Sequence, residues 1–210
     1  MDSLRLAVLL AAAWAGAALL FLARRARAFG PRRLYAKPAG DPAAGIRYAF
    51  TKGMAPWAKE SVMMNLPSYT AGMVFHAGVF TGLALLLPAL AGSGPLPAPV
   101  RAAAGALALA GAAGGLALLL KRSLKPHLLG ISAPDDFVAN LLCTLFALLA
   151  AAQLAWPGLQ RAWLAEAVLL LVYVPLGKIR HCFLFFPTRS HFGAFFGRRG
   201  TFPPGGGSHA

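Results

Sequence analysis

The chain has 210 residues, 58% of them hydrophobic and only 12% charged, with a mean hydropathy of +0.63; a soluble domain carries about a quarter charged residues, so an ordinary soluble domain is excluded. Twenty Lys and Arg against six Asp and Glu give a net charge of +14, but the cations punctuate long apolar runs, which is the pattern of an integral membrane protein and not of a nucleic-acid binder. Two cysteines exclude a disulfide scaffold and a four-cysteine iron–sulfur cluster held by this chain alone, and the lack of a Cys-x-x-Cys-His run excludes covalently attached c-type haem.

A spanning helix needs about 20 mostly apolar residues, and the sequence predicts five, over 6–23, 68–91, 100–120, 137–156 and 162–186. The first has its cations after the apolar run, the reverse of a signal peptide, so it is read as a retained helix. The Gly/Pro-rich stretch 92–99 separates the second and third spans, and Trp156, Pro157 and Gly158 separate the fourth and fifth. The Ala-rich third span suits close helix packing. Asp135 and Asp136, after Ser132 and Pro134, read as an acidic helix start held by capping and the helix dipole. Seventeen of the twenty cations fall between spans one and two, between spans three and four, or after 177; Arg5, Arg101 and Arg161 fall on the other side. The positive-inside rule then places the N-terminus outside and the C-terminus in the cytoplasm. The predicted fold is an all-α membrane protein, a five-helix bundle over 1–190 with a basic, aromatic cytoplasmic tail over 191–210. The tail reads either as a docking surface for a cytoplasmic subunit or as an interfacial anchor.

Two of the five histidines fall inside predicted spans, His76 in the second and His181 near the end of the fifth. Antiparallel spans put both in the cytoplasmic half of the membrane, where an ionisable side chain is costly and marks function by default. Two histidines at similar depth can ligate one haem iron from opposite faces. Gly72 and Gly177 each lie four residues earlier, on the same helix face, and leave room for a porphyrin plane. Lys178, Arg180 and Arg189 are the candidate partners of haem propionates. The competing reading is that each histidine hydrogen-bonds across helices. His127 and His191 are expected at the cytoplasmic surface, and His209 lies in a Gly-rich terminal stretch.

The segment from Tyr173 to His181 resembles the fifth-helix signature of the gamma subunit of respiratory nitrate reductase. The same signature occurs in its relatives, the membrane cytochromes b of sulfate reducers and of heterodisulfide-reductase-like complexes. The run from Val74 to Gly78 resembles that family's second-helix haem motif, and the run from Lys121 to Asp136 resembles its loop between helices three and four. The resemblance spans roughly 59–199 and rests on the order of these motifs. It implies a haem b subunit exchanging electrons between membrane quinone and a cytoplasmic-side iron–sulfur partner. It also implies a departure, because the family's outer pair of haem ligands would fall at Leu86 and Trp163, neither of which can ligate iron. One haem b, held by His76 and His181, is therefore expected. Quinone is expected as exchangeable substrate, with Lys59, Glu60 and His191 as candidate residues by depth alone. The expected partners are the iron–sulfur subunit and membrane lipid, with no nucleic acid, and the expected place is a bacterial or archaeal cytoplasmic membrane. Such a chain is an electron-transfer subunit of an oxidoreductase complex and not a complete enzyme. The alternative is a haem-free membrane anchor of a multi-subunit complex.

Overall fold

Long runs of Ala and Leu without internal polar groups favour helix, and the chain ends its helices with Pro and Gly. The computed structural model describes residues 2–30, 35 and 37–204, apart from the side chains of 60 and 61. In chain order the α-helices are α1 (Ser3–Ala28), α2 (Pro42–Phe50), α3 (Glu60–Met63), α4 (Leu66–Ala91), α5 (Ala98–Leu124), α6 (Pro126–Leu129), α7 (Pro134–Ala155), α8 (Gln160–Tyr173) and α9 (His181–Arg198). Among the described residues there is no strand. Helices α1, α4, α5 and α7 are each long and apolar enough to cross a membrane, and the pair α8 and α9 passes the same test as one broken span. A multi-pass membrane protein follows.

The caps are those the local sequence dictates. Gly92 stops α4 in the left-handed region, at φ +68°, with Ser93 N–H donating back to the Pro88 carbonyl at 3.0 Å. Helix α7 starts with Pro134 in its first turn, and the Asp136 carboxylate accepts from Ala133 N–H at 2.9 Å. Asp41 caps α2 by accepting from Ala43 N–H at 2.8 Å and Ala44 N–H at 3.1 Å.

The fifth predicted span is not one helix, which corrects the continuous helix expected over 162–186. Helix α8 stops at Tyr173, the chain turns through Val174, Pro175, Leu176 and Gly177, and a short 3₁₀ turn at Lys178–Arg180 leads into α9. Val174 keeps helical backbone and its N–H still donates to the Leu170 carbonyl at 2.9 Å, but Pro175 has no N–H to continue the ladder. Leu176 and Gly177 N–H both return to the Tyr173 carbonyl, at 2.9 and 3.1 Å, closing the end of α8. Helix α9 then runs on through Pro187 to Arg198, so the first eight residues of the stretch predicted as a tail, 191–198, are helix.

The chain divides into two compact units. The first comprises Met1–Ala18 and Pro67–Ile179. Its core joins Val8 of α1, Leu85 and Leu86 of α4, Ala108 of α5, Phe146 and Ala150 of α7, and Trp163, Leu164, Ala167 and Leu170 of α8. Glycines let α4 and α5 cross nearly backbone to backbone: a Cβ on Gly78 would lie 2.6 Å from the Gly111 Cα. Gly82 leaves the space filled by the Phe146 ring, which stacks on Trp163 at a 6.1 Å centroid distance. Trp14 ties α1 to the end of α8 by donating Nε1–H to the Val172 carbonyl at 3.2 Å.

The second unit comprises Leu19–Leu66 and Arg180–Ala210. Here α2 packs on α9 through glycine again: a Cβ on Gly197 would lie 2.8 Å from the Gly45 Cα, and one on Gly193 would lie 2.7 Å from the Ile46 Cα. Ala39 and Gly40 N–H donate to the Arg198 carbonyl at 2.8 and 3.1 Å, closing the far end of α9. The rings of Tyr48, Phe192 and Phe196 gather around Phe202, at centroid distances of 4.9, 5.5 and 5.1 Å.

Candidate functional site

His76 lies about 15 Å along α4, a helix about 39 Å long at 1.5 Å per residue. The core side of α4 is Gly78, Gly82, Leu85 and Leu86; the exposed side carries Met73, His76, Ala77, Phe80 and Leu87 at helical spacing. The His76 imidazole is therefore exposed along a span composed almost entirely of apolar residues. Its Nδ1 lies 2.6 Å from the Gly72 carbonyl oxygen. A carbonyl only accepts, so Nδ1 carries the proton, and in the neutral ring the lone pair sits on Nε2. This is the arrangement by which metal-binding histidines are oriented, one ring nitrogen held by a backbone carbonyl and the other presented to the metal. A Cβ added to Gly72 would meet nothing within 4 Å, so the space over the glycine is open. Phe75 and Phe80 flank the imidazole, each with its ring centroid 6.2 Å away.

His181 is also exposed, but it stands differently from the expectation. It is the first residue of α9 and belongs to the second unit, whereas His76 belongs to the first. Gly177 lies in the break and not one turn back along the same helix, so the shared-face argument applies to Gly72 and His76 alone. Gly177 is buried, and a Cβ there would lie 2.5 Å from both Asp135 Oδ1 and Tyr173 Cζ. Its missing side chain makes room for the Tyr173 hydroxyl to donate to the Asp135 carboxylate.

The three propionate candidates have distinct surroundings. Lys178 pairs with Asp136, Nζ to Oδ2, at 2.7 Å, and Arg122 approaches the other carboxylate oxygen at 3.8 Å. Asp135 and Asp136 thus do more than start α7, because they also fasten the end of α8 to it. Arg189 donates Nε–H to the Ala49 carbonyl and Nη2–H to the Gly53 carbonyl, both at 2.8 Å, and so holds the end of α2. Two of its five N–H groups are used in that way. Arg180 is exposed.

Of the quinone candidates, Lys59 is partly buried, and that burial, with the Arg189 charge as a lesser cause, holds its ammonium below the usual lysine range. Glu60 opens α3, and its side chain lies outside the described residues. His191 is exposed on α9, and His127 is exposed in α6. His209 lies outside the described residues. Leu86 and Trp163 are core residues, 5% and 0% exposed. Among the described residues no group of three or more His, Cys, Asp or Glu comes together to hold a metal ion; a bis-histidine haem needs only two.

The glycines at the α2–α9 crossing carry the second unit. Gly193 and Gly197 form a Gly-x-x-x-Gly pair, which is a packing signal in helices. The aromatic and basic residues around them, which resemble an interfacial tail, mask that signal in the sequence. No protein-family model, curated protein or solved structure matches the chain.

Proposed function

We propose that the chain is a haem b membrane subunit of a respiratory complex in a bacterial or archaeal cytoplasmic membrane, oriented with its N-terminus outside. It passes electrons between the quinone pool and an iron–sulfur partner on the cytoplasmic side through a single bis-histidine haem. The observation that carries this reading is His76: an exposed imidazole in an apolar span, with Nδ1 held by the Gly72 carbonyl and open space over Gly72. His76 and His181 would hold the iron, and the haem, when bound, supplies a one-electron iron couple.

The chain's own residues have four tasks. Gly72 sets the ligand tautomer through its carbonyl and leaves room for the ring beside it. Phe75 and Phe80 would add apolar surface beside the imidazole. Arg180, Lys178 and Arg189 are the cations that would meet haem propionates. Leu86 and Trp163, packed in the core, support a single haem.

The test is a reduced-minus-oxidised optical spectrum with haem stoichiometry on His76→Ala, His181→Ala, His127→Ala and His191→Ala. The first two are expected to lose the low-spin b haem and the last two to keep it. Full haem retention in either of the first two overturns the ligand pair. No haem in the parent protein favours the haem-free anchor.

A further inference from the structure

At the end of the first unit opposite the Lys121–Lys125 turn, the α4–α5 and α7–α8 connections come together around a cavity of about 290 Å³. Its polar lining includes Ser93, Arg101, Gln153 and Gln160, and its apolar lining includes Leu85 and Leu96. A larger groove of about 810 Å³ meets it at Arg101, Leu154 and Pro157. That groove runs between α5 and α7, over Ala102, Gly105 and Ala106 on one side and Ala151, Ala152 and Ala155 on the other. From Arg101 to Leu109 it extends about 12 Å along α5. The two spaces share one cation, so together they offer a polar pocket and an apolar trough on either side of a guanidinium.

Arg101 is exposed, and among the described residues its side chain has no ion pair or hydrogen bond. Asp135 and Asp136, the paired carboxylates of the unit, sit at the start of α7, whereas Arg101 lies beside its end. Trp156, 67% exposed, lines the groove beside Arg101. A tryptophan at a helix end marks the level of lipid head groups, which is where phospholipid phosphates lie.

We infer that this end of the molecule holds one anionic glycerophospholipid, its phosphate on Arg101 and one acyl chain in the α5–α7 groove. Charge complementarity selects the head, since an unpaired guanidinium beside amides and a hydroxyl, with the Arg5 guanidinium close to neighbouring Gly92, is a set of donors seeking anionic oxygens. The Ala- and Gly-lined trough selects an unbranched chain. The inference rests on residues remote in sequence from His76 and His181 and stands whether or not haem binds.

Native mass spectrometry of the full chain in detergent, titrated with phosphatidylglycerol or phosphatidylcholine, tests it. Phosphatidylglycerol is expected to give a one-to-one adduct at least about fivefold more readily than phosphatidylcholine. Arg101→Gln is expected to remove that preference, whereas Arg161→Gln, a neutralised cation on the same side, keeps it. Gly105→Leu, where a Cβ has room, with the Leu154 Cδ1 3.8 Å away, is expected to fill the trough and lower binding of both lipids at this site. An Arg101→Gln protein that keeps the preference overturns the inference. So does displacement of the lipid by inorganic phosphate alone, which would make the groove irrelevant, or a menaquinone adduct lost in Arg101→Gln in place of the phosphatidylglycerol adduct.

Discussion

At the scale of single residues, the informative contrast lies between Gly72 and Gly177. Both precede a histidine by four positions, and the sequence makes them equivalent. In the structure Gly72 faces open space, whereas Gly177 is pressed against Tyr173 and Asp135. The first is a vacancy beside a ligand candidate; the second is a packing glycine beneath a hydrogen-bonded pair. Gly72→Leu is therefore expected to abolish haem incorporation while leaving the unfolding midpoint of the detergent-solubilised protein within a few degrees of the parent. A Gly72→Leu protein with a full haem complement would separate Gly72 from the site. Spacing in the sequence shows which residues share a helical turn only if the helix continues, and Pro175 is the local reason that it does not here.

At the scale of elements, the two glycine crossings set how closely helices approach. A Cβ at position 111 would lie 2.5 Å from the Gly78 Cα, so in Gly111→Leu α4 and α5 must move apart. The expected cost is about 1–3 kcal/mol, read as a lowered thermal midpoint. Gly16→Ala, where a Cβ meets nothing, is the control and is expected to leave the midpoint unchanged or slightly raised. In the second unit, Arg189→Lys keeps the charge but cannot reproduce the planar fork on the Ala49 and Gly53 carbonyls. It is expected to increase proteolysis of the segment after α2 relative to the parent, and equal proteolysis would remove that role. The four long spans were legible because each is a run of about 20 apolar residues bounded by Pro, Gly or cations. The short helix α2 and its pairing with α9 were not, because nine residues carry too little periodicity and the partner lies far along the chain.

At the scale of the whole molecule, charge is the main guide. Arg5, Arg101 and Arg161 stand apart from the other seventeen cations, and the same bias that orients a membrane protein leaves Arg101 at the end opposite the Lys121–Lys125 turn. Impermeant maleimide labelling of intact cells checks the orientation in a background lacking Cys143 and Cys182. Ser93→Cys is expected to label at once, and Ser123→Cys only after the membrane is opened; the reverse order would invert the topology. The sequence made the spans and the His76 environment readable, since both are local. It did not make the break after Tyr173, the Asp136–Lys178 pair or the Arg101 cavity readable, since each depends on how distant segments meet.

The most direct measurement is the reduced-minus-oxidised spectrum of the purified full chain with pyridine haemochrome stoichiometry. The account predicts one low-spin b haem per chain, lost in His76→Ala. A preparation from haem-replete membranes that carries no haem, or one whose haem survives intact in His76→Ala, would contradict it.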